Sequence, residues 1–344
     1  MKCKTIGIDL AKNVFQVCGV NEHSKALFNK KLQRKELLAF MAKKEHTTVV
    51  MEACYSSNYW GREITKLGHD VKLIPAQHVT PFVRGNKNDH NDAMAIVEAS
   101  HRPHIRFVPI KTEYQQEINS LHRIRERLIR NRTGVINQTR GLLSEFGVIA
   151  NAGKAELFKR LPTFIINPQY SQQLRDMISE LYAEHFELTN RIEKLEKRLK
   201  KFVADSPNGK ILLSIPGIGF INASAIMATI DKGQAFSNPR EFAVWLGLTP
   251  QQYASGNTSR MGGITKHGDR YLRKQLVHGA RTVVCHAGKK TDQLNLWANK
   301  LREKKSFNKT VVAMAHRLAR LIWILLQRQE EYSPQYAPIL KGSV

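Results

Sequence analysis

The chain has 344 residues, enough for two domains and a sizeable core. Lysine and arginine number 54 against 29 acidic residues, a formal net charge of +25. Such an excess repels itself in a compact fold and most often serves a polyanionic partner. The N-terminus lacks the apolar stretch of a signal peptide, and no uninterrupted apolar run reaches 18 residues. The four cysteines (Cys3, Cys18, Cys54, Cys285) form neither a metal-ligand spacing nor a disulfide framework. The expectation is a cytoplasmic protein without structural zinc and with no membrane partner.

In chain order, residues 4–20 read as two strands around a tight turn, Ile6-Gly7-Ile8-Asp9 and Val14-Phe15-Gln16-Val17-Cys18. A third strand is expected over 26–32, a helix over 34–44, and a strand over 47–52 that ends on Glu52. A helix over 57–67, stopped by Gly68, a strand over 71–74 and a helix from Asp89 to Ser100 complete the unit. Asp89 and Asp92 stand three apart and so share one helix face. Singly, these acids read as turn residues or helix caps. Together, at strand ends and a helix start, they can converge over one sheet edge. There their repulsion asks for a hard divalent cation such as Mg²⁺ or Mn²⁺. Two metals about 4 Å apart are a standard device for attacking phosphodiesters. Three strands followed by alternating helices and strands predict a mixed α/β sheet flanked by helices. That order, with acids at these points, resembles the ribonuclease H/RuvC-like fold.

From 113 to 146 the pattern turns helical. Residues 121–140 carry six arginines and one acid. Arginines at 123, 125, 127, 130 and 132 would encircle much of the helix, and Arg123, Arg127 and Arg130 are taken as phosphate contacts. Over 171–203 an apolar seam in steps of four and three (Leu174, Ile178, Leu181, His185, Leu188, Ile192, Leu195, Leu199, Phe202) predicts a coiled coil with His185 as its polar, register-setting member. An intramolecular hairpin with 113–146 and an intermolecular dimer both satisfy that seam. Asp205-Ser206-Pro207-Asn208-Gly209 breaks the helix. Leu213-Ser214-Ile215-Pro216-Gly217-Ile218-Gly219 before an apolar helix resembles a helix-hairpin-helix, whose turn offers backbone N–H groups to phosphate. Residues 242–280 read as a packed helix, a polar glycine loop and a basic helix. Over 257–290 there are eight Lys/Arg against one acid, Asp269. Arg260, Lys266, Arg270 and Arg273 are further candidates for nucleic-acid contact. A last helix over 310–328 reads as core.

Gly7-Ile8-Asp9-Leu10-Ala11-Lys12, Val49-Val50-Met51-Glu52-Ala53-Cys54, Lys87-Asn88-Asp89-His90-Asn91-Asp92-Ala93, the Ser214–Gly219 turn and the block from Trp245 to Arg273 occur in the order found in the Piv/MooV-like DEDD transposases of bacterial insertion sequences. The sequence resembles that family over nearly its whole length. The resemblance implies a RuvC-like catalytic domain (1–110), an arginine-rich helix and coiled coil (111–208) and a mainly helical C-terminal transposase domain (209–344). It places the acidic, metal-binding quartet on Asp9, Glu52, Asp89 and Asp92 and a serine nucleophile on Ser255, with Ser259 as the alternative. It also implies DNA recombination guided by a structured bridge RNA, by a nucleoid-associated dimer or tetramer whose active site forms in cis or in trans. Two other functions stay open on the residues alone. One is a Holliday-junction nuclease using metal-activated water; the other is a non-catalytic nucleic-acid-binding protein.

Overall fold

Successive side chains of a strand point to opposite faces, so near-continuous apolar runs such as Val14–Val20 and Val49–Met51 dress both faces of one sheet. Its strands are β1 (Thr5–Leu10), β2 (Val14–Val20), β3 (Ala26–Gln33), β4 (Thr48–Glu52) and β5 (Asp70–Ile74), in the order β3-β2-β1-β4-β5. β1 and β2 pair antiparallel, as do β2 and β3, whereas β4 runs parallel to both β1 and β5. Ile6, Ile8, Phe15, Val17, Val49 and Met51 fill one face beneath helices α1 (Leu37–Ala42) and α2 (Ser57–Lys66). The other face carries Cys18, Val20, Val50 and Ile74. It is covered by α4 (Asp89–Ser100), through Ala93, Ala95, Ile96, Val97 and Ala99, and by the short α3 (Ala76–Val79). This is the mixed sheet with flanking helices that the sequence predicts. The expected helix at 34 begins as a 3₁₀ turn, Arg34–Glu36.

The computed structural model describes residues 2–83, 89–149, 153–256 and 258–334, and the chain divides into two compact units, Met1–Glu113 and Tyr114–Val344.

Among the described residues of the second unit, the regular structure is helical apart from one hairpin. α5 (Glu113–Glu145) and α7 (Gln172–Ala204) run antiparallel, so that Ile136 and Leu143 meet Leu174 and Ile178 at one end and Ile118 and Leu121 meet Leu199 at the other. The seam of α7 is therefore satisfied within the chain, which settles the hairpin-or-dimer alternative for that surface. His185 lies in the seam as expected, with its ring stacked on Phe158 of α6 (Lys154–Ile165) at 3.6 Å between centroids. The sequence reading held no helix there.

Past the break at Asp205, Val203 still packs into the core of the helices that follow. These are α8 (Pro207–Ser214), α9 (Phe220–Ile230), α10 (Pro239–Trp245), α11 (Arg270–His286), α12 (Gln293–Lys304) and α13 (Phe307–Arg328). Asn238, Asp269 and Asp292 cap three of them, each side chain accepting from backbone N–H groups of the first turn. By length and hydropathy α13 would suffice to cross a membrane, although the sequence reading found no such run. Val311, Met314, Ala315, Leu318, Leu321, Ile322 and Leu325 bury most of its apolar stretch in the helical core. The segment read as a polar glycine loop is a β-hairpin, β6 (Pro250–Ser255) and β7 (Thr258–Ile264).

Candidate functional site

Two carboxylates stand where the sequence puts them, at the C-terminal ends of neighbouring parallel strands. β1 and β4 pair up to Ile8 opposite Met51, one residue short of Asp9 and Glu52. Gly7 and Val50, two residues before each acid, both face α4, so the period of two turns Asp9 and Glu52 to that same face. Both are half-buried. Their charges reach a common neighbour: burial pushes the Cys54 thiol up to about 11, and Glu52 and then Asp9 push it the same way.

α4 lies very close to β1. A Cβ at Gly7 would come within 2.6 Å of Val97 Cγ2 and 2.7 Å of the Ala93 carbonyl oxygen. Asp92, half-buried, precedes Ala93 in the first turn of this helix; Asp89 opens it, and the Asp89 side chain lies outside the described residues. Among the described residues no group of three or more His, Cys, Asp or Glu stands close enough to hold a metal. Chemically, the acids fit one: they are hard oxygen donors on adjacent strand ends.

Ser255 ends β6 at the exposed tip of the hairpin, opposite Thr258, whose hydroxyl donates to the Ser255 carbonyl at 2.9 Å. Ser259 pairs with Ala254 and accepts from Gln252 Nε2 at 3.4 Å, so it lies on the opposite ribbon face from Ser255. Asp269, the first acid after the hairpin, is engaged as the cap of α11 through Leu272 N–H at 2.8 Å. Arg260, Lys266 and Arg270 are exposed. Arg273 is instead turned inward: its Nη1 donates to the Leu246 carbonyl at 2.9 Å and the His267 carbonyl at 2.6 Å, bracing the base of the hairpin.

The arginines of α5 do not encircle it. Arg123, Arg127 and Arg130 are exposed, and their spacing of four and three makes a single stripe. Arg125 turns to α7 and pairs with Glu196 at 2.6 Å, and Arg132 donates to Thr189 at 3.4 Å. The turn between α8 and α9 sets Gly217 against Gly279 of α11.

Residues 6–148 match the profile of a transposase family of the DEDD, IS110 type, and residues 209–294 match the transposase IS116/IS110/IS902 family. A probable family 20 transposase of Pseudomonas aeruginosa is 42% identical over 337 residues, spanning 97% of this chain and 100% of that relative. The transposase for insertion sequence element IS1111A of Coxiella burnetii is 37% identical over 331 residues, 96% of this chain and 91% of the relative. For the IS1328 transposase of Yersinia enterocolitica the figures are 37% over 328 residues, 95% and 98%. This chain belongs to the IS116/IS110/IS902 family of transposases.

The transposase is thus an enzyme acting on DNA, and the DEDD type of its N-terminal region goes with dependence on a divalent metal. Its first matched region takes in the sheet from Ile6 onward, the acids and the arginine stripe; its second runs from α8 through the hairpin to the start of α12.

Two features of the transposase escaped the sequence reading because long-range contacts make them. Gln16, buried on β2 directly opposite Asp9, donates through Nε2 to Asn29 Oδ1. Asn29 Nδ2 in turn donates to the His90 carbonyl at 3.2 Å, tying the strands to the first turn of α4. In the second unit, buried His122 of α5 bridges Tyr271 of α11 and Ser224 of α9, at 2.9 Å through Nδ1 and 3.0 Å through Nε2. Burial lowers the His122 pKa to about 4 and raises that of Tyr271 to about 12. The bridge fixes the rotation of α5 about its axis, and with it the direction of the arginine stripe within the second unit.

Proposed function

We propose that this transposase cuts and rejoins DNA strands with Ser255 as nucleophile and with Asp9, Glu52, Asp92 and Asp89 as a magnesium- or manganese-binding group, guided by a structured bridge RNA. The observation that carries the reading is the meeting of two acidic strand ends and the acidic start of α4 on one face of a β3-β2-β1-β4-β5 sheet. That strand order supports the ribonuclease H/RuvC-like reading of the fold. A divalent cation bound by these carboxylates would ease ionisation of a hydroxyl and draw charge from the phosphate oxygens.

Ser255 Oγ attacks the phosphorus and loses its proton. The bond from phosphorus to the departing sugar oxygen breaks, and that oxygen takes up a proton. A free hydroxyl end of a second strand then attacks the serine phosphodiester and releases Ser255, so no phosphodiester is lost to water. The exposed tip of the hairpin allows DNA to approach, and Arg260 and Lys266 neutralise its backbone. Arg123, Arg127 and Arg130 suit the phosphates of the RNA or of DNA.

The test uses purified protein with its co-purifying RNA, Mg²⁺ and nicked element-end DNA. A denaturant-resistant adduct is expected, mapped to the Ser255 peptide, lost in Ser255→Ala and kept in Ser259→Ala. Asp9→Asn and Glu52→Gln should fold normally, form no adduct and lose the rise in melting temperature that Mn²⁺ gives the wild type. Adduct loss in Ser259→Ala alone would move the nucleophile to Ser259. Recombination by both serine variants would replace the reading by cleavage with metal-activated water.

A further inference from the structure

The ribbon face that carries Ser255 carries more than a nucleophile. Its register sets Tyr253 opposite Arg260 and Ser255 opposite Thr258, so all four side chains share one face. A Cβ at Gly262 would lie 3.2 Å from Tyr253 Cε2: the glycine makes room for the ring to lie across the neighbouring strand. The Tyr253 hydroxyl donates to Gln251 Oε1 at 2.8 Å, which holds the ring in place. Tyr253 is nevertheless 61% exposed. An aromatic side chain is thus presented to solvent, with exposed Arg260 opposite it in the ladder, in a stretch from Thr249 to Gly268 that contains no acid.

Resting on the reading of Ser255 as the nucleophile, we propose that Tyr253 stacks on an unpaired DNA base next to the cleaved phosphate while Arg260 holds the adjoining backbone. The charge decides the class of occupant. An acid-free hairpin with one ring and one exposed arginine matches an anionic strand, not an apolar peptide. The geometry decides the state of that strand. Inside a duplex both faces of a base are covered by its neighbours, so only a base at a strand end or out of the stack can lie on the ring. Strand exchange produces such a base beside each cut. Stacking there would hold the freed end within reach of rejoining.

The experiment uses the full-length protein in a Ser255→Ala background, so that no arm of it cuts DNA. The probe is nicked element-end DNA with one unpaired 2-aminopurine beside the cleavage position. Binding should quench its fluorescence. Tyr253→Phe should keep the quench. Tyr253→Ala and Tyr253→Thr should abolish it and weaken binding about 5- to 150-fold, the range for one base stacked on an aromatic side chain. Tyr253→Thr preserves a good strand former, so loss in both variants separates a missing ring from a melted hairpin. Replacing the 2-aminopurine by an abasic site should weaken wild-type binding to the level of Tyr253→Ala and weaken Tyr253→Ala no further. A full quench in Tyr253→Ala and Tyr253→Thr, or quenching seen only when the fluorophore sits in RNA, would overturn the proposal. Because the readout is binding, it stands apart from the nucleophile. An adduct persisting in Ser255→Ala would defeat the serine assignment and leave the quench to be read.

Discussion

Gly7 governs how near α4 can come to the sheet, and so where Asp92 stands relative to Asp9. In Gly7→Ala the new methyl would meet both the Val97 side chain and the Ala93 carbonyl. Overpacking of this kind typically destabilises by about 1–3 kcal/mol. Thermal unfolding should show the loss. Adding Val97→Ala should restore only part of it, since the backbone half of the clash stays. His122 makes a pH-dependent contribution. Its folded pKa is about 4, below the ordinary 6.5, because burial and then Arg125 oppose the charged ring more than Glu126 supports it. The unfolded chain therefore binds a proton that the folded chain refuses. The stability is complete above about pH 6.5 and falls as pH drops toward 4, by about 3 kcal/mol at most. Urea midpoints at pH 7.5 and 5 should differ more for the wild type than for His122→Gln. Equal differences would remove His122 from the acid limb.

At the scale of elements, the arginine stripe of α5 is the clearest electrostatic device. Each phosphate neutralised contributes a log–log salt slope of about −0.9 on duplex DNA and less on single strands. Replacing Arg123, Arg127 and Arg130 by Gln should therefore flatten the slope for duplex element-end DNA by up to about three units. Replacing Arg125, already paired with Glu196, should leave the slope alone and destabilise the α5–α7 pair. An unchanged slope in the triple variant would make the stripe a solvated face. How legible each element was follows from its period. β1 and β4 are buried on both faces and so read as short apolar runs, and the seam of α7 writes a period of seven into the chain. The hairpin could not be read that way: nearly every residue of β6 and β7 is exposed, and no apolar alternation marks them. α6 hid behind Pro162, a residue that ordinarily ends a helix and here lies inside one.

At the scale of the whole chain, the sequence held the strand ends that carry Asp9 and Glu52, the succession of strands and helices in the first unit and the basic excess, because each is local or additive. It did not hold which arginines are spent on structure. Arg125, Arg132 and Arg273 look like their neighbours in composition, and only the fold turns them toward Glu196, Thr189 and two backbone carbonyls. Gln16 and the His122 bridge were invisible for the same reason. The closeness of α4 to β1 has a consequence for how the protein is made. The second face of the sheet is closed by residues near the end of the first unit. A ribosome must therefore release about a hundred residues before Cys18, Val20, Val50 and Ile74 are shielded. Asp92 arrives on the same helix that does the shielding. The nascent chain is thus adhesive until that helix docks, and a copy cut short before residue 89 would present much of this apolar face to chaperones and proteases.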